Sequence, residues 1–220
     1  MKKYIFAAFA LMMAAAGCQK PDGLEEFAAE ARENILTASM NADTRTMLGD
    51  KDNSQYANLW SEGDQIAVFL DGEGQKLGYT LKEGAGTPKA TFTGTGSADS
   101  YVAVYPASAA EAISGKTLNL ELPDEQTYAE SSFGPGSFPM VAVSNTQDLT
   151  FRNLCAVLKV VMTGTGTVKS IRFTANDKSI FVAGKATADI SDPAAPTLTM
   201  AENGSNSVIL KFTEGGGSRA

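Results

Sequence analysis

From residue 34 onward, Thr, Val, Ile, Phe and Tyr gather in short runs separated by Gly, Asp, Asn and Pro. This is the texture of antiparallel strands joined by turns. It predicts strands over residues 35–41, 65–70, 76–81, 89–93, 101–105, 117–122, 140–144 and 148–151. A second set is predicted over 156–163, 168–174, 179–183, 186–190, 197–200 and 208–212. In DQIAVFLDG, Ile66, Val68 and Leu70 alternate with Ala67 and Phe69. Both faces are apolar, so this strand is expected at the centre of the fold, covered on each side. In TLNLELP, Leu118, Leu120 and Leu122 alternate with polar residues, which predicts one face on a core and one in water. VLKVVMTGTGTVKSIRF reads as a hairpin turned by Gly164-Thr165-Gly166. Residues 108–114, SAAEAIS, read as one or two helical turns. Before residue 34 a faint helical stripe (Leu24, Phe27, Ala28, Ala31) marks residues 18–33 as a polar tether.

The first residues have a different pattern. Lys2 and Lys3 precede an almost unbroken apolar segment over 4–16, well short of the ~20 residues that span a bilayer as a helix. A basic start, a short apolar core and small residues at its end describe a secretory signal, here residues 1–17. Ala15-Ala16-Gly17 then runs into Cys18, which resembles the lipobox of bacterial lipoproteins, with Ala15 where Leu is usual. The resemblance implies that the Cys18 thiol takes a diacylglycerol, that the chain is cut before it, and that the new amino terminus is acylated. More than one acyl chain makes a stable anchor. Gln19-Lys20-Pro21-Asp22 is similar to the short polar tag that sends some lipoproteins to the outside of the outer membrane.

Charge and composition remove several functions. The formal net charge is −7, and Lys2 and Lys3 are lost with the signal. Such a surface repels nucleic-acid phosphates and anionic headgroups, so nucleic acid is not an expected partner. There is no histidine, which removes the commonest general base and zinc ligand and every His-based triad. No catalytic, cofactor-binding or metal-binding set is expected, and the chain is not read as an enzyme. Once Cys18 is lipidated, Cys155 is the remaining thiol. The fold must then be held without an internal disulfide. Cys155 sits in the apolar run NLCAVLKVV and reads as a small buried hydrophobe. TGTGSADS lacks the Gly-Lys-Ser/Thr ending of a phosphate loop and reads as a turn. DKDNSQY has alternating oxygen ligands, but Gln55 stands where a calcium loop needs glycine.

Four phrases appear in order: ILTASMNADTRTML, LWSEGDQIAVF, SYVAVYPAS and DLTFRNLCAVLKVVMTG. Their most specific elements are Thr44-Arg45-Thr46, Trp60 followed by Gly63-Asp64 and Ile66, and Tyr105-Pro106. Together they resemble the fimbrillin-like family of surface lipoproteins, which includes pilus subunits. The resemblance implies an all-β fold of two tandem transthyretin-like, Greek-key β-sandwiches over residues 34–152 and 153–220, the second truncated. It implies a structural or adhesive role at the outer membrane or in a fimbrium. In the pilus members an Arg-specific protease releases the first strand, and Arg45 matches that position. Partners would be other fimbrillin-type subunits joined by strand exchange, with the membrane held through the N-terminal lipid. Trp60 reads as a cap on an open sandwich end. The alternative is a surface module binding a glycan or host ligand, with Trp60 or Tyr56 as the aromatic contact. A half-built second sandwich is expected to expose a strand edge and an apolar face.

Overall fold

The computed structural model describes residues 33–40, 48–52, 55–129 and 132–212, with side chains described from residue 59 onward and in the first segment, Phe133 excepted. All of them belong to one compact unit. In chain order the first strands are β1 (Glu33–Met40), β2 (Leu48–Asp52), β3 (Gln55–Asn58), β4 (Gln65–Leu70), β5 (Leu77–Glu83) and β6 (Lys89–Thr95). Next come β7 (Tyr101–Tyr105), β8 (Ala110–Ser114), β9 (Thr117–Leu122), β10 (Glu125–Ala129), β11 (Ser132–Phe133) and β12 (Met140–Ser144). The last are β13 (Asp148–Asn153), β14 (Ser170–Thr174), β15 (Gly184–Asp189), β16 (Thr197–Met200) and β17 (Ser207–Lys211). Among the described residues there is no α-helix, and a single 3-10 turn, Ala107–Ala109, precedes β8. The protein is all-β.

Seven strands close into a barrel in the order β1-β13-β12-β7-β4-β5-β6. Closure removes the exposed strand edge that an open sheet must otherwise protect. The barrel is antiparallel except for β1 and β13, which run parallel with Thr37 opposite Asp148. Its interior holds Leu36, Trp60, Ile66, Val68, Tyr79, Phe92, Met140, Leu149 and Phe151, all fully buried.

The double-sided pattern of β4 has a direct cause. Ile66 and Val68 point into the barrel, while Ala67 and Phe69 join a second core with Val102 and Val104 of β7 and Val141 of β12. That second core is completed by Leu118 and Leu120 of β9 and Ala188 of β15. These strands belong to a sheet of order β16-β15-β9-β8 laid against the outside of the barrel. The sheet is stitched across the boundary expected at residues 152 and 153. Leu120 of β9 lies opposite Ala186 of β15, and Leu118 opposite Ala188.

A further sheet has the order β11-β10-β17-β14, and β2 and β3 form a separate hairpin. In it β10 and β17 run parallel, with Gln126 opposite Leu210, and β17 and β14 antiparallel, with Ile171 opposite Leu210. This sheet also joins chain from both sides of residue 152. The strand expected over 156–163 is absent: those residues lie in no strand, and the hairpin read through Gly164-Thr165-Gly166 is not formed. The helical turns expected over 108–114 shrink to Ala107–Ala109, and the remainder pairs as β8 against β9. The strand expected over 179–183 is reduced to one bridge, Ala183 with Ser205.

Candidate functional site

Two polar clusters close opposite ends of the barrel. At one end the chain turns tightly into β4. The Ser61 amide donates to Asp64 Oδ2 at 2.7 Å, the Asp64 amide donates to the Ser61 carbonyl at 3.1 Å, and Gly63 supplies φ +83°. A left-handed φ is open to glycine at no steric cost. The Tyr105 hydroxyl donates to Asp64 Oδ1 at 2.9 Å. Burial pushes the Asp64 carboxyl above its ordinary range, against the two hydrogen bonds that favour its ionised form. Burial and then the Asp64 charge raise the Tyr105 hydroxyl strongly.

Trp60 is set by the same turn. Its amide donates to the Thr87 carbonyl at 2.9 Å, and its carbonyl accepts from Gly86 at 2.8 Å. The ring meets Phe92, Tyr105 and Phe151 edge-on at 5.0, 5.5 and 5.4 Å. Such contacts add about 0.5–1.5 kcal/mol each to the burial of the rings. Trp60 has 0% exposure, so it plugs the barrel and presents no face to a sugar.

At the other end Tyr79 lies over Gly94, whose missing side chain leaves room for the ring: a Cβ there would stand 2.5 Å from it. The Tyr79 hydroxyl donates toward the Thr95 and Gly96 carbonyls and accepts from Asn34 Nδ2 at 3.1 Å. Gln147 Nε2 donates to Asn34 Oδ1 at 2.6 Å. Both ends are thus sealed by satisfied or packed groups, and the barrel interior is a core.

The outer surface differs. One face of the open sheet carries Ile171, Phe173, Val208 and Leu210, with Phe212 stacked on Tyr128 at 4.5 Å. These residues are half-buried and belong to neither core. The opposite face is polar apart from Ile209: Lys211 pairs with Glu125 at 2.6 Å, and Arg172 donates to Ser207 at 3.1 Å. Residues 156–163, between β13 and β14, expose Leu158 at 73% and Val161 at 76%, together with Val157, Val160 and Met162. Exposed large apolar groups gathered like this mark interaction surfaces.

A third feature is a shallow hollow of about 350 Å³ on the sheet of β8, β9, β15 and β16. Glu111, Asn119, Lys185, Thr187 and Thr199 line it. Ala112, Ala186, Met200 and Ala201 complete the lining, so polar and apolar groups share it, and the Lys185 ammonium stands 3.8 Å from the Glu111 carboxylate.

Cys18 and Arg45, the expected lipidation and processing residues, lie outside the described residues. Tyr56 falls in β3, where side chains are not described. Cys155 is half-buried against the barrel core, and burial raises its thiol, which makes it a poor nucleophile at neutral pH. Of the open sheet, β14 and β17 fall on the strands expected over 168–174 and 208–212, while β10 and β11 were not expected. Tyr128 was the available signal, an aromatic in the polar run EQTYA that lies two residues from Gln126 and so on the same face of the strand.

Comparison with protein-family profiles, with curated proteins and with solved structures found no match.

Proposed function

We propose that this chain is a surface lipoprotein of structural or adhesive type, similar to fimbrillin subunits, that is held by lipid on Cys18 and assembles by strand addition. The observation that supports this reading is an open sheet that carries an apolar face and ends, among the described residues, at the edge strand β14. Unpaired main-chain groups at an edge give a partner strand its affinity, and apolar pockets give it register. The barrel would be the rigid body and the open sheet the joining surface. The membrane partner would be reached through the lipid, with the body facing the cell exterior at the outer membrane. Cleavage after Arg45 would be the step that licenses assembly, if the chain follows the pilus subunits.

The test is the intact mass of the protein extracted from the cell envelope, read beside electron microscopy of the same sample. The expected result is a mass starting at Cys18 with acyl chains added, and ordered assemblies. An unlipidated chain in the soluble fraction, with no assembly, contradicts the proposal. The shallow hollow that mixes Glu111, Asn119 and Lys185 with Ala186 and Met200 supports a second reading, a module binding a glycan or host ligand. Retention on a polysaccharide column, lost with Asn119→Ala, would favour it.

A further inference from the structure

We propose that the outer face of the sheet β16-β15-β9-β8 binds a neutral polysaccharide chain laid across its strands, along Thr199, Thr187 and Asn119. This goes beyond assembly; it deepens the ligand-binding reading above and rests on it. The inner face of this sheet, with Leu118, Leu120 and Ala188, is packed on the barrel. The outer face is set in lines by the register. Thr187 of β15 lies opposite Thr199 of β16 on one side and Asn119 of β9 on the other, and Asn119 lies opposite Ala112 of β8. These positions form one line across the sheet, about 14 Å long at the ~4.8 Å spacing of neighbouring strands. All of them line the hollow of about 350 Å³.

Two departures from ordinary strand design fall on this line. Asn119 sits mid-strand in β9, between two neighbouring strands, although Asn is depleted in strands. It is half-buried, and its amide has no hydrogen-bond partner among the described residues. A local rule broken with no structural return marks a position kept for function. The second departure is a bulge. The register shifts between Ala110 and Ala112, so Glu111 is an extra residue on β8. A bulge re-aims the side chains beside it. Here Glu111 and Ala112 both reach the hollow: the Glu111 carboxylate stands 3.8 Å from the Lys185 ammonium, and the small Ala112 leaves the end of the line low.

The groups on the line select the class of ligand. Thr hydroxyls and the Asn amide both donate and accept, as the hydroxyls of a sugar do. The β-branched threonines have restricted side-chain torsions, and the strands beneath them are held by the barrel, so little freedom is lost on binding. Glu121 lies opposite Lys185, and Asp189 opposite Thr117 and Thr197, all on the same face. Glu111, Glu121 and Asp189 therefore outweigh Lys185 there, which disfavours an acidic polymer. A protein partner is gripped through buried aromatic or Arg anchors. The hollow holds neither, and its largest apolar group is the half-buried Met200, which can meet the C–H face of a sugar ring.

The experiment runs the full-length chain, in mild detergent, on native gels cast with a soluble α-glucan, a β-glucan, a galactomannan or dextran sulfate. Slower migration is expected in at least one neutral polysaccharide and not in dextran sulfate. Thr187→Val keeps the residue's shape and strand preference and removes its hydroxyl. It should weaken the apparent affinity at least about threefold, and Asn119→Ala about tenfold, with unfolding midpoints near the parent's. Thr197→Val, on the same face but one line away, is expected to migrate as the parent does. Retardation that Thr187→Val and Asn119→Ala leave unchanged, or that Thr197→Val weakens equally, overturns this site and leaves the ligand-binding reading standing. Retardation by dextran sulfate that equals or exceeds that by the neutral polymers overturns the neutral class. No retardation by any of the polymers overturns the proposal and removes the glycan reading with it.

Discussion

Leu36, Ile66, Tyr79, Phe92 and Phe151 have no exposed surface inside the barrel, whereas Ile171, Phe173, Val208 and Leu210 keep part of theirs in water on the open sheet. Both regions are built from short β strands rich in β-branched and aromatic residues. What separates them is closure. The barrel returns to its first strand through β1 and β6, where Leu36 lies opposite Phe92, and gains a second layer from β9 and β15. The open sheet stops at β11 and β14 and carries no second layer among the described residues. Alternation alone therefore makes strands in both places, but only the cyclic order of partners makes one of them self-sufficient.

The comparison breaks most visibly at Trp60. Trp60→Ala should cost about 3–5 kcal/mol of stability by chemical denaturation, since it removes a fully buried ring that touches three others. Next comes Gly94→Ala. Its Cβ would stand 2.5 Å from the Tyr79 ring, so an overpacking loss of about 1–3 kcal/mol is expected in the same assay. If instead this change stabilises the protein, the ring is not held where the Asn34 cluster places it.

Asp64 sharpens the picture through pH. Its folded carboxyl titrates above the ordinary 3.8 because burial penalises the charge. The folded state therefore binds this proton more tightly than the unfolded state, and the ionised form costs stability at neutral pH. As pH falls through the raised value toward 3.8, the parent should gain stability relative to Asp64→Asn, and the difference should be flat on either side. A parent that loses ground to the variant over that window contradicts the assignment. On the open sheet, Leu210→Ala should cost only about 1 kcal/mol in the isolated chain, because the side chain is half in water already. The same change should weaken assembly more than it weakens folding, measured by sedimentation beside denaturation.

How far the sequence foretold this depended on where each strand finds its partner. β4, β7, β9, β12 and β16 fall on the residues expected for them, because each is a short run of strand-forming residues, apolar on one face or both. β8 was read as helical from AEAIS, and β9 overrides that preference by pairing Ile113 with Leu118. β10 was missed because EQTYA is polar, and it exists through its parallel pairing with β17. The strongest strand-forming run of all, at 156–163, is in no strand, since composition cannot supply a neighbour. Nor could spacing show that β9 would pair with β15 across residues 152 and 153. Of the candidate site, Trp60 as a plug was legible from its place before a Gly-Asp turn. An exposed edge and apolar face were expected as well, but the residues forming them needed the register of β14 on β17.

The measurement closest to the central claim is hydrogen exchange, residue by residue, on the isolated chain and on its assembled form. The account predicts slow exchange in the barrel strands in both samples. It predicts fast exchange in β14 and residues 156–163 of the isolated chain, slowed by at least about tenfold on assembly. Protection of β14 and residues 156–163 that is the same in both samples would contradict it.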